Sequence, residues 1–117
     1  MSWLTSSMNL LPASVRATIP PLYASEGNPH PVAQIKLFTP DSQWTWFVIE
    51  CSPVDDEGYV IQAENIKPAD YLLFCLVDGQ DRELGYVSLR EICTVTGPLG
   101  LHVERDLHFK PCRVSEL

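Results

Sequence analysis

Basic residues are scarce in this chain: Lys and Arg together number 8, against 15 Asp and Glu, for a formal net charge of -7. The few present form no cluster and no stripe. Nucleic-acid binding through phosphate contacts needs such a cluster, so DNA and RNA are excluded as direct ligands. Long apolar runs are missing too. With no run of about 18 or more apolar residues, no transmembrane helix is expected. The opening MSWLTSSMNLLP lacks both a basic n-region and a sustained apolar h-region, the two parts of a secretory signal. The expected location is the cytoplasm, with no membrane partner.

Paired short cysteine spacings are also lacking. Cys51, Cys75, Cys93 and Cys112 stand far apart and three sit inside apolar runs, which predicts buried free thiols rather than disulfides. Zinc sites show spacings such as C-x2-C or H-x3-H, and the nearest approach here is His102, His108 and Cys112. On a strand, His102 and His108 would lie roughly 20 Å apart, too far for one ion. No metal site is expected. The chain also has no G-x-S-x-G elbow and no glycine-rich phosphate or dinucleotide loop, so no cofactor is expected. Gly97-Pro98-Leu99-Gly100 reads as a helix stop. Catalysis needs a group tuned by a partner, and no such pairing is visible; a non-enzymatic role is favoured.

What the chain does have is apolar content for one core. Hydrophobic residues make up 45% and charged residues 20% of 117, a balance that folds as one domain rather than staying disordered. Residues 8–117 are expected to form that domain and residues 1–7 a flexible extension.

The elements follow from period and punctuation. Leu11, Val15 and Ile19 recur at helical spacing before Pro20-Pro21, predicting a short helix over about residues 11–18 with Pro12 in its first turn. Residues 23–31 read as loop. Ala33, Ile35 and Leu37 alternate with polar residues, a strand with one wet face. Pro40-Asp41-Ser42-Gln43 is turn chemistry, and a second strand runs from Trp44 to Cys51 with Trp44, Trp46 and Val48 on one face. Ser52 to Gly58 is an acidic loop, followed by a short strand or ribbon over Tyr59 to Ile61. The seven apolar residues from Tyr71 to Val77 predict a strand buried on both faces. Asp78-Gly79-Gln80-Asp81 turns it into another over Leu84 to Ser88. Ser88-Leu89-Arg90-Glu91 is a capping box opening a two-turn helix that Gly97-Pro98 ends. Leu101, Val103, Leu107 and Phe109 alternate with polar residues, a last strand in which Arg105 either binds a carboxylate or marks a bulge. The sum is an α+β domain: an antiparallel sheet of four to five strands with two short helices packed on one face.

Residues 50–91 hold ten acids and three bases, while the rest of the chain is balanced. The whole net charge therefore lies in the middle segment. Such a field steers a cationic surface, so a basic protein is the expected partner, engaged through this segment, including Asp55, Asp56 and Glu57. The aromatic group offers another place for a site. Trp44 and Trp46 share a face, with Asp41 at the strand's entrance and Tyr59 and Tyr86 expected nearby; Glu104-Arg105-Asp106 is either an ion pair or a polar patch. A small ligand-binding domain or hydrolase-like enzyme with its site near Trp44, Trp46 and Glu104-Asp106 is the competing reading. A homodimer formed through an exposed apolar patch or sheet edge is the third.

PPLY at 20–23, FTPDSQWTWF at 38–47, SPVDDEGY at 52–59, ELGYVSLREI at 83–92 and GPLGLHVERDLHFKP at 97–111 resemble a family of small bacterial proteins, the domain-of-unknown-function 2958 family. The likeness covers nearly the whole chain from about Met8. It implies carriage on plasmids and other mobile DNA, which makes the expected basic partner a host or element-encoded protein, and it supplies no catalytic or binding residues to carry over.

Overall fold

The structure, a computed structural model, describes residues 10–117. The expected extension over residues 1–7 lies outside the described residues.

The described chain runs α1 (Ala13–Arg16), β1 (Val32–Ala33), β2 (Ile35–Phe38), β3 (Thr45–Val54), β4 (Asp70–Asp78), β5 (Arg82–Ser88), α2 (Leu89–Ile92), β6 (Glu104–Arg105) and β7 (Cys112–Arg113), then a 3-10 turn over Val114–Glu116. Five strands form an antiparallel sheet in the order β5-β4-β3-β2-β6, and β1 pairs with β7 as a separate ribbon. The architecture is α+β, as the patterning implied.

The sheet has two unequal faces. On the front, Leu37, Trp46, Val48, Leu73 and Cys75 pack with Leu10, Leu11 and Ile19 and with Leu89 and Ile92 of α2. Both short helices therefore cover one face. On the back, Ala33, Phe47 and Leu76 form a smaller cluster with Phe109, Val114 and Leu117. The long central strands carry apolar residues on both faces because each face has its own cover.

Several expectations shift in detail. Pro12 is the N-cap of α1 rather than part of its first turn, and the helix is only four residues long. Ala33 does not share a face with Ile35 and Leu37, because the strand is interrupted at Gln34 and Ala33 belongs to the back cluster. The segment expected as a strand over Tyr59 to Ile61 makes only a single bridge, Val60 to Val54. The serine half of the capping box forms, with Ser88 Oγ accepting from Glu91 N at 3.2 Å, but α2 ends at Ile92. In the turn after α2, Gly100 takes the left-handed conformation and Gly97 does not.

The C-terminal strand is the largest departure. Only Glu104 and Arg105 pair with β2, and Leu101 and Leu107 are exposed. Among the described residues, Arg105 neither meets a carboxylate nor marks a bulge. Its Nη1 donates to the carbonyl of Leu10 at 3.0 Å, which ties the start of the described chain to the sheet edge.

Candidate functional site

A continuous apolar strand that contains one acid poses a problem of placement. Around Glu50 the sequence reads Trp46-Phe47-Val48-Ile49-Glu50-Cys51. Strict alternation from Trp46 and Val48 would aim Glu50 into the front core, where an unpaired carboxylate costs several kcal/mol, an order-of-magnitude figure. A β-bulge between Val48 and Glu50 prevents this. One extra residue, Ile49, restores Cys51 to the front core and turns Glu50 to the back, opposite Phe74.

There the carboxylate is 2% exposed and is met by the loop after α1. Tyr23 N donates to Glu50 Oε1 at 2.8 Å and Ser25 N to Oε2 at 2.7 Å, with the Ser25 hydroxyl donating to Oε2 as well. Leu22 N donates to Ser52 Oγ at 2.9 Å, one residue pair further along the same strand. These bonds strap residues 22–25 to the sheet. They also hold Tyr23 at φ 72, a left-handed conformation unusual for a bulky residue.

Between this strap and β5 lies a cavity of about 370 Å³ lined by Tyr23, Ser25, Glu26, Glu50, Phe74 and Tyr86, with Gly27, Asn28, Pro31 and Leu84 at its margin. Its size is at the lower end of the roughly 300–1,000 Å³ of small-ligand sites. The cross-strand row Glu50, Phe74, Tyr86 forms the floor. Phe74 and Tyr86 have ring centroids 5.0 Å apart, and Tyr23 leans over Tyr86 at 6.4 Å. Among the described residues, two carboxylates line the space, and no lysine, arginine or histidine does. Partial desolvation raises the Tyr86 phenol above its ordinary value, and Tyr23, Glu50 and Glu26 push it in the same direction.

The arrangement suits binding better than proton transfer. Both donors of Ser25 are spent on Glu50 Oε2, so the serine closes the loop, and the lining supplies no imidazole or amine to serve as a partner. Among the described residues no three His, Cys, Asp or Glu side chains converge on a metal position.

The residues singled out from the sequence are distributed differently. Trp44 and Trp46 do stack, at 6.3 Å and 26°, but Trp46 belongs to the core while Trp44 lies over Gly79. Asp41 accepts from Leu99 N at 2.7 Å and Leu101 N at 3.4 Å, pinning the turn that follows α2. Asp55 accepts from Glu57 N and Tyr59 N at 2.9 and 3.0 Å and so shapes its own loop, with Asp56, Glu57 and Tyr59 exposed. Glu104 and Arg105 stand at the β6 edge, and Asp106 lies 3.9 Å from Lys36. Of the whole group only Tyr86 lies in the cavity. Glu50, Tyr23, Ser25 and Phe74 were not singled out. The signal that marks them is the lone acid inside the apolar run, since a buried acid requires donors.

Residues 10–116 match the family described as "Protein of unknown function (DUF2958)". The chain belongs to the DUF2958 family. No curated protein and no solved structure was found to match it. For this DUF2958 member, function has to be argued from the strap, the aromatic floor and Glu50. No helix among the described residues is long and apolar enough to cross a membrane.

Proposed function

We propose that this protein is a non-enzymatic, cytoplasmic accessory protein of a mobile genetic element that binds a basic partner protein on the back of its sheet, at the cavity between the 22–31 loop and β5. One observation carries the reading: the Glu50 carboxylate is buried with hydrogen-bond donors around it, and among the described residues no lysine, arginine or histidine lines its cavity. A positive group arriving from outside completes the site.

The surroundings support the same polarity. Glu26 lies at the rim, Asp81 is exposed just before β5, and Asp78 pairs with Arg82 at 3.8 Å. Tyr23, Leu84 and Tyr86 are exposed around the same cavity as Glu26, giving the apolar contact area that charge alone does not provide.

The test is titration with a peptide rich in Arg and Lys, at low and high salt, followed by amide NMR. Binding weakened by salt, with the largest shifts at Tyr23, Ser25, Gly27 and Tyr86, supports the reading. Binding that ignores salt, or shifts confined to the 55–59 loop, overturns it.

A further inference from the structure

Resting on the reading just given, we infer that the group received beside Glu50 is the guanidinium of an arginine side chain displayed by the partner protein. The first argument is an inventory of acceptors. A carboxylate offers about four acceptor positions. Three are taken by Tyr23 N, Ser25 N and the Ser25 hydroxyl, which leaves one, on Oε1. An ammonium is compact and strongly hydrated; here it would exchange its water for a single acceptor. A guanidinium is planar, delocalised and more weakly hydrated, so it loses less on entry.

The second argument is the floor. Phe74 and Tyr86 present two aromatic faces, inclined at 41° to each other, next to Glu50, and Tyr23 leans over Tyr86. A flat cation stacks on such a surface while pointing one edge at a carboxylate, and arginine is the side chain that does both. Glu26 at the rim faces the remaining N–H groups, which leave the cavity toward solvent. The third argument is size, because about 370 Å³ holds one side chain end but not a folded element.

Three capped peptides of the same sequence, centred on arginine, lysine or citrulline, separate this from a general acidic field. Calorimetry on the whole protein is expected to show arginine binding about fivefold or more tighter than lysine, with citrulline, which keeps the shape and loses the charge, weaker again. Glu50→Gln should remove on the order of tenfold or more of arginine affinity, and Tyr86→Leu a severalfold part of it. Glu104→Gln, at the opposite edge of the sheet, should change nothing.

Equal binding of arginine and lysine overturns the guanidinium assignment while leaving the acidic-face reading intact. Equal binding of citrulline overturns both. Tyr86→Leu keeps the test decisive if Glu50→Gln does not fold. Free guanidinium ion binding as tightly as the peptide would point to a small-molecule ligand and overturn a partner protein. Amide shifts that follow protein concentration rather than added peptide would identify a second copy of this chain on β5 and overturn it as well.

Discussion

At the scale of single residues, two kinds of close approach decide what this protein tolerates. The buried Glu50 carboxylate is held by donors from the 22–25 loop. Asp41 is held just as tightly, with Oδ2 accepting from Leu99 N and Leu101 N while Oδ1 is buried without a partner. A Cβ at Gly97 would stand 1.7 Å from Asp41 Oδ1. Gly97 is therefore fixed by space and not by a left-handed φ. Gly97→Ala has to displace a side chain that bonds the turn, and is expected to cost about 1–3 kcal/mol in urea unfolding. Cysteines show the opposite behaviour, since packing alone explains them. All four are free, and burial pushes Cys51 up to about 12, Cys75 higher still and Cys93 to about 11. At neutral pH, Cys51 and Cys75 are expected to resist alkylation until the protein is unfolded, as mass spectrometry of labelled samples will read.

At the scale of elements, period identified the long strands and left their ends to the partners. β4 was legible as seven apolar residues between acids, and β5 as the return from an Asp-Gly turn. α2 was legible at its start because Ser88 and Glu91 carry the cap, yet it ends after four residues. Ser88 serves two partners, accepting from Glu91 N and donating to the Asp70 carboxylate, so it joins the helix to the start of β4. Ser88→Ala is expected to lose about 1–2 kcal/mol, read by thermal or urea unfolding, with Ser88→Thr retaining most of it. The C-terminal alternation misled for a physical reason. A strand needs an edge to pair with, and β2 is four residues long, so only Glu104 and Arg105 form a ladder with it, while His102 makes a single bridge to Thr96. The bulge at Ile49 was not legible either. An extra residue leaves no mark in composition or period until the neighbouring strand fixes the register.

At the scale of the whole molecule, ionisation of the buried thiols sets the alkaline limit of the fold. In the unfolded chain a cysteine ionises near 9, whereas Cys51 and Cys93 in the folded protein ionise at about 12 and about 11. The folded state thus favours the neutral thiol. That contribution is fully present below pH 9 and is lost as pH rises toward 11 and 12. The raised Tyr86 phenol acts in the same direction. The urea midpoint is expected to fall steadily above pH 9, and Cys51→Ala, which removes the most strongly shifted of the partly buried thiols, should flatten part of that fall.

The sequence by itself determined the α+β class, the antiparallel hairpins and the concentration of negative charge in residues 50–91, because these depend on local period, turn chemistry and a sum. It also held the one anomaly that mattered, an acid inside an apolar run. Which face that acid takes, which loop supplies its donors and which rings surround it were decided only by tertiary structure. Register, a bulge and a strap from residues 22–25 bring together groups separated by up to 63 positions, from Tyr23 to Tyr86. No spacing along the chain encodes that meeting, because it exists only once both faces of the sheet have been covered.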